Sequence, residues 1–328
     1  MQIVIDTANT KISVKSKTFL IENEAQSRQI SPKRISSIAI TSNCTLNAAT
    51  IKLAALNEVP IYFFNHFGTL QARTWSPYFK NIASLRKKQL LFYNTPQATN
   101  WMIDLLARKT GLQIELLQRL QKKCNTDYNK TQTATEKIKQ LFTASSDYKD
   151  EPIDKCRSQL LGIEGIISKN YFQNLQAFLP KQFKFEKRSR QPATDYFNAA
   201  LNYLYGMTYS IVESGVFAKG LDPFIGYLHT DNYTKTSLVF DLIEPIRPIV
   251  DNMLIDLCIE NTLNETHFVR KEQGFWINKT GKRIIIPTFN EYLQKRLKVN
   301  NKVRKFKDII YQESNKLGNL INQTFIQI

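Results

Sequence analysis

ISSIAITSNCTLNAATIKLAALNEVPIYFF, residues 35–64, decides how the first part of the chain is read. Two short β-branched or apolar runs, ISSIAI and VPIYFF, flank a run of helical spacing, TLNAATIKLAALNE. In that middle run Leu46, Ala49, Leu53 and Leu56 recur at helical intervals, which predicts one apolar helix face. The surrounding runs QIVID, KISVKS, TFLIE and TLQART are short, alternating or β-branched, with turn-prone residues between them. A small β-rich region with a single helix is expected.

From Ile82 onward the apolar period becomes helical, in ASLRKKQLLFY, NWMIDLLARKTGLQIELLQRLQKK and TATEKIKQLF. SPYFKN, residues 76–81, reads as the linker between the two textures. ASSDYKDEP, residues 144–152, reads as a polar loop, and IDKCRSQLLGIEGIISKNYFQNLQAFL as a long helix after it. KQFKFEKRSRQP is a basic loop, and DYFNAALNYLYGMTYSIVES a helix closed by Gly215. The fold class expected is α+β in two domains: a β-rich domain over residues 1–80 and a larger all-α-helical domain over 81–328.

The chain carries 45 Lys and Arg against 28 Asp and Glu, a formal charge of +17, which points to a polyanionic partner. No apolar run reaches the roughly 20 residues needed to span a bilayer. The N-terminus alternates like a strand and lacks the apolar block of a signal peptide, so a cytoplasmic protein with no membrane partner is expected. Cys44, Cys124, Cys156 and Cys258 are scattered, and form neither a disulfide framework nor a zinc-ligand pattern.

Three features break the apolar pattern. In LLGIEGIISKNYF, Glu164 shares a helix face with Leu160, Ile167, Tyr171 and Leu175. Burying a carboxylate there needs a partner, either a ligand or one of the many Lys and Arg residues. Gly162 and Gly165 flank it, each costing about 1 kcal/mol against Ala in a helix, which suggests close approach of another backbone or a ligand. In SLVFDLIEPI, Asp241 and Glu244 sit among apolar residues, and Pro245 should bend the helix. His229, one of only three histidines, stands in the loop before it, whereas His66 and His267 have no comparable carboxylate neighbours. A divalent cation held by Glu164, His229 and Glu244 explains all three features. Carboxylates with one imidazole suit Mg²⁺ or Mn²⁺ better than zinc. Without a cation, Glu164 and Glu244 should repel each other and their pKa values should rise.

Four motifs occur in order: GIEG at 162–165, R-x-P-x-x-D-x-x-N-A-x-L-N-Y at 190–203, G-x-x-H at 226–229 and S-L-V-F-D-L-x-E-P-x-R-P at 237–248. Together with ISSIAI, VPIYFF, the R-x-x-Q of residues 86–89 and GFWINKTGKRIII, they make the chain resemble the CRISPR-associated spacer-acquisition integrases along nearly its whole length. One departure is Leu112 in ARKTGLQ, where the family often has Asn; Lys109 and Gln113 are retained.

The resemblance implies a homodimer formed through the N-terminal domain, and assembly with a small ferredoxin-like CRISPR adaptation protein. It implies a metal-dependent DNA endonuclease/integrase that inserts short DNA fragments into a CRISPR array by 3′-hydroxyl attack at the repeat boundary. Glu164, His229 and Glu244 match its metal ligands and Asp241 an acidic position beside them. No reverse-transcriptase or exonuclease segment is expected. Lys181, Lys184, Lys187, Arg188 and Arg190 are candidates to track the phosphates of double-stranded DNA, with KRLKVNNKVRKFK at 295–307 as a second basic stretch. Asn198, Asn202, Tyr203 and Tyr205 are expected to serve helix packing. The alternatives are a structure-specific nuclease acting on branched DNA in repair, or a catalytically silent DNA-binding scaffold.

Overall fold

The computed structural model describes the chain except residues 66–69, 75–81, 125–127, 191, 230–235, 272–273, 300–301 and 327–328. The first part is β-rich. Its strands are β1 (Gln2–Ile5), β2 (Thr10–Lys15), β3 (Thr18–Asn23), β4 (Gln26–Ile30), β5 (Ser37–Ile40) and β6 (Cys44–Leu46); after helix α1 (Ala48–Leu56) come β7 (Ile61–Phe64) and β8 (Leu70–Arg73). They form two four-stranded sheets, β1-β5-β7-β8 and β4-β3-β2-β6. Strands β5 and β7 pair in parallel, with Ile38 opposite Ile61, so α1 is the crossover between them. Asn47 caps α1 by accepting from the Thr50 amide at 2.9 Å.

The buried face of α1 differs from the one expected. Thr50 and Ala54 face inward, while Leu56 is 60% exposed. The Thr50 hydroxyl donates to the Ile12 carbonyl of β2 at 2.9 Å, and this bond fixes the rotation of the helix.

The second part is mostly helical: α2 (Ile82–Tyr93), α3 (Pro96–Cys124), α4 (Tyr128–Thr143), α5 (Ile153–Leu175), α6 (Tyr196–Lys219), α7 (Ser237–Leu242) and α8 (Arg247–Ile259). It is not all-α. Strands β9 (Phe268–Lys271) and β10 (Gly274–Ile277) form an antiparallel hairpin before α9 (Lys279–Gln294). Strands β11 (Arg296–Val299) and β12 (Lys302–Lys305) form another before α10 (Phe306–Thr324). In the second hairpin, which lies within the basic stretch 295–307, Val and Leu alternate with Lys and Arg at the period of a strand. The proposed linker and the domain boundary lie outside the described residues, as does His66. The 144–152 loop holds a 3₁₀ turn at Ala144–Tyr148.

Helix α6 is the axis of the helical part, with Leu201, Leu204, Ile211, Val212 and Val216 all buried. It passes through Gly215 and ends at Gly220, whose φ of 87° suits the left-handed cap position. Gly215 is instead a contact point: a Cβ there would lie 3.2 Å from Ser314 Oγ of α10. The β-rich part has its own core, around Ile12, Phe19, Ile38 and Ile61. It docks on α6 through Tyr62, whose hydroxyl donates to the Ser210 carbonyl at 2.9 Å, and through an Arg73–Glu213 ion pair at 2.9 Å.

Asp251 of α8 is buried and ties three helices together. It accepts from Tyr171 of α5 at 2.9 Å and from Tyr205 of α6 at 2.6 Å. Burial pushes its carboxyl up from 3.8 to about 6, against those two hydroxyls and the charges of Arg188 and Arg247. A folded-state pKa raised above the unfolded value means that the folded chain holds a proton the unfolded chain has released. The contribution to stability therefore falls as pH rises through this window and is flat above it. Denaturant unfolding from about pH 4 to pH 7 should cost wild type roughly 2 kcal/mol more than Asp251→Asn; parallel losses would show that Asp251 does not titrate in the fold.

Candidate active site

Three segments meet at one buried ammonium. Lys109 lies on the inner face of α3 among Leu105, Leu106, Gln113 and Leu117, and is 4% exposed. Its Nζ donates to Glu164 of α5, to Glu244 at 2.6 Å and to Ser168 Oγ at 3.1 Å. Ser168, one turn after Glu164, also donates to Glu164 Oε1 at 2.6 Å. The expected α5 face is present: Leu160, Ile167, Tyr171 and Leu175 are buried, and Glu164 stands at its edge with 22% of its side chain exposed.

Glu244 is 3% exposed and sits where the chain bends. Helix α7 stops at Leu242, a 3₁₀ turn runs from Glu244 to Ile246, and α8 starts at Arg247. Pro245 has no amide hydrogen to continue α7, which accounts for the break. Arg247 Nε donates to Glu244 Oε1 at 3.0 Å, and its NH2 group to the Tyr209 hydroxyl at 2.8 Å. Burial alone would raise the Glu244 carboxyl, but Arg247, Lys109 and His229 hold it down at about 2. The expectation of a raised Glu244 pKa without a metal is therefore corrected. The protein supplies its own cations, and Lys109 is held charged by the two carboxylates despite burial.

His229 is oriented by Asp241, which is fully buried. Its carboxylate accepts the amides of Tyr227 at 2.6 Å, Leu228 at 3.3 Å and His229 at 3.0 Å. It also accepts a hydrogen bond from His229 Nδ1 at 2.8 Å, so that Nε2 is the ring nitrogen not engaged by Asp241. Burial opposes the imidazolium, but the Asp241 bond and charge outweigh it and raise the His229 pKa. Gly226 is required here, since a Cβ would lie 2.6 Å from Ser237 Cβ.

The R-x-x-Q motif finds its role in this loop. Gln89, fully buried on α2, donates to the carbonyls of Asp222 at 3.0 Å and Ile225 at 3.1 Å, and accepts the Asp222 amide at 2.8 Å. Arg157 of α5 adds a bond to the Tyr227 carbonyl at 3.0 Å.

The four acidic and imidazole residues thus form two linked pairs, Glu164 with Glu244 through Lys109, and His229 with Asp241. Among the described residues no three of His, Cys, Asp or Glu converge closely enough to cage a metal ion. The donor chemistry nevertheless fits a divalent cation: two carboxylates already converge on one cationic point, and an imidazole is oriented beside them through its Nδ1. Sequence marked Lys109 only as a position retained from the family, and did not single out Ser168, Arg247 or Gln89. Arg247 and Gln89 lay inside quoted motifs, and Lys109 in ARKTGLQ; nothing in the pattern assigned them partners.

Among the described residues no atom beyond the local turn of α5 lies within 4 Å of a Cβ built on Gly162 or Gly165, so no close approach of another described segment calls for these glycines. They line an open helix face beside Glu164. Of the basic loop, Lys181, Lys184, Lys187 and Arg190 are exposed. Arg188 instead donates to Asn198 at 2.7 Å and Asn202 at 2.6 Å, and its guanidinium lies 5.6 Å from the Tyr205 ring centroid, so it braces the start of α6. Lys184 donates to the Gln176 carbonyl. Asn198, Asn202 and Tyr205 serve helix bracing as expected. His267 accepts the Asn264 amide at 3.0 Å and caps a short turn.

A family model described as CRISPR associated protein Cas1 matches residues 3–291. The CRISPR-associated endonuclease Cas1 1 of Archaeoglobus fulgidus is 24% identical over 322 residues, covering 94% of this chain and 93% of its own length. A Cas1 protein of Thermotoga maritima has the same fold, with a TM-score of 0.80 at 22% identity, over 98% of this chain and 97% of its own. A casposase bound to its integration product superposes with a TM-score of 0.81 at 22% identity, over 98% of this chain and 91% of its own.

Removing the Asp241 carboxylate would leave the amides of residues 227–229 without their acceptor. With each unmet buried group costing about 1–3 kcal/mol, Asp241→Ala should destabilise the protein by about 3 kcal/mol or more in urea unfolding. A loss below about 1 kcal/mol would mean that the loop finds other acceptors.

Proposed function

The chain belongs to the CRISPR-associated Cas1 family, and from that premise we propose that it is a metal-dependent DNA endonuclease/integrase joining short DNA fragments to the edge of a CRISPR repeat. One observation carries the reading: two carboxylates from α5 and the α7–α8 bend converge on a single cationic point, beside a histidine oriented by a buried aspartate. We assign Glu164, His229 and Glu244 as ligands of Mg²⁺ or Mn²⁺ and Asp241 as the residue that positions His229. When bound there, the cation would supply Lewis-acid polarisation of a phosphodiester.

The chain's own residues do the rest. Arg247 keeps Glu244 ionised and fixed through its bond at 3.0 Å. Asp241 keeps the Nδ1 proton of His229 engaged, so the imidazole presents Nε2 and acts as a ligand rather than as a general base. The bare face at Gly162 and Gly165 admits a phosphate backbone next to Glu164. Lys181, Lys187 and Arg190 contact further phosphates of the duplex. In the joining step the 3′-hydroxyl oxygen of the fragment forms a bond to phosphorus, and the phosphorus–oxygen bond to the neighbouring nucleotide breaks. Water in place of the hydroxyl gives hydrolysis.

Residues 1–80 form the dimerisation domain in this reading and 81–328 the catalytic one. Ile51 and Leu56 of α1, 41% and 60% exposed, support a second copy covering that helix. A small ferredoxin-like CRISPR adaptation protein completes the assembly. Among the described residues no helix is long and apolar enough to cross a membrane; in this reading the protein works with its DNA substrate in the cytoplasm.

The test is strand transfer of a labelled fragment into a repeat-bearing plasmid with the partner protein present. Joining should require Mg²⁺ or Mn²⁺, cease with chelator, and be abolished by Glu164→Ala, His229→Ala and Glu244→Ala, with DNA binding intact. Metal-dependent cutting of branched DNA without joining would favour the repair nuclease, and DNA binding with neither activity the scaffold. Gly162→Ala and Gly165→Ala separate folding from substrate approach. Each should raise stability by up to about 1 kcal/mol in thermal unfolding, and each should lower strand transfer, because the added methyl faces the DNA and not the protein. Unchanged strand transfer would remove this face from the DNA path.

A further inference from the structure

The ammonium of Lys109 lies where the charges of Glu164 and Glu244 converge, with 5% of its side chain exposed. Glu244 has a second cation, Arg247, on its other oxygen at 3.0 Å. Glu164 is bound by Lys109 and by the Ser168 hydroxyl, itself 3.1 Å from the same ammonium. The local charges therefore balance without any ion from solution, as two carboxylates against one ammonium and one guanidinium. A divalent cation bound by the same carboxylates adds two positive charges at contact distance from a third. In a buried setting that repulsion is large, and the two cations compete for the same oxygens.

The geometry points to Lys109 as the resident cation of the metal site. It holds Glu164 and Glu244 together when the metal is absent, and its ammonium must withdraw for a divalent ion to enter. Lysine suits this task better than arginine, because a single nitrogen on a flexible four-carbon stem can swing away while its Cα stays in α3. Ser168 Oγ is a bond the departing ammonium must give up. Metal occupancy is then an exchange of one internal ion pair for another, which sets the threshold of free metal at which the site fills. This inference rests on the ligand assignment above.

The experiment uses the full chain as wild type, Lys109→Met and Lys109→Arg, with Glu164→Gln as a site control. Mn²⁺ binding is read from the free-ion electron paramagnetic resonance signal, and melting is followed in chelator and in Mn²⁺. Lys109→Met should bind Mn²⁺ at least about tenfold more tightly than wild type. It should melt lower in chelator, and gain more than wild type when Mn²⁺ is added. Lys109→Arg should bind Mn²⁺ less tightly than wild type, because its guanidinium withdraws less readily, and Glu164→Gln should weaken binding. A variant that fails to fold without metal is covered by a measurement on wild type alone: acylation of Lys109, read by peptide mass spectrometry, should increase several-fold when Mn²⁺ replaces chelator. Equal or weaker Mn²⁺ binding by Lys109→Met, or Lys109 labelling that Mn²⁺ leaves unchanged or suppresses, would overturn the exchange while leaving the ligand assignment standing. Failure of every form to bind Mn²⁺ would overturn both together.

Discussion

The ion-paired chain Glu164–Lys109–Glu244–Arg247 is the constraint from which the rest of the site follows. Lys109, Glu244 and Arg247 are all largely buried, and a buried charge without a partner costs several kcal/mol. The four side chains come from α3, α5, the α7–α8 bend and the start of α8. Their mutual neutralisation holds those segments at hydrogen-bonding distance. It also explains why a carboxylate can stand in the apolar run SLVFDLIEPI: Glu244 opens the 3₁₀ turn after the short helix, beside two cations, with its own pKa at about 2. Charge pairing of this kind contributes specificity of arrangement more than net stability, and here the arrangement is the site itself.

The histidine is positioned by a different device. Its loop has no regular hydrogen-bonding pattern of its own, so its backbone groups are satisfied from outside. Asp241 takes three consecutive amides, Gln89 takes carbonyls and an amide further upstream, and Arg157 takes the Tyr227 carbonyl. Gly226 allows the loop to pass against Ser237. The imidazole is therefore fixed by groups from α2, α5 and α7 at once. An irregular segment is held in place because its buried backbone groups at residues 227–229 are answered by neighbours.

The β-rich part is joined to this apparatus through α6. Tyr62 and Arg73 from one sheet reach Ser210 and Glu213, and Gln2 donates to Ser210 Oγ at 2.7 Å. Farther along the same helix, Tyr209 accepts from Arg247 and Tyr205 donates to Asp251. One rigid helix thus carries contacts to the sheet and contacts behind the carboxylate pair. Its passage through Gly215, closely packed on α10, keeps it continuous over the whole distance.

By itself the sequence determined the change from β texture to helical texture near residue 82, the break at Pro245, and the four residues whose charge or ring stood out against apolar surroundings. These follow from local periodicity and from the cost of burying polar groups, both of which are written along the chain. It also made an ion pair one of two explanations for Glu164, without identifying the cation. Only the tertiary structure decided that Lys109, 55 residues away in sequence, is that cation, that Arg188 braces α6 instead of facing solvent, and that Gln89 holds the His229 loop. It likewise turned the predicted α1 face toward Thr50, and folded the basic tail into a hairpin before α10. The physical reason is common to all of these. A charged or polar side chain shows in the sequence only that it needs a partner; which of many candidates meets it depends on how helices far apart in the chain pack together.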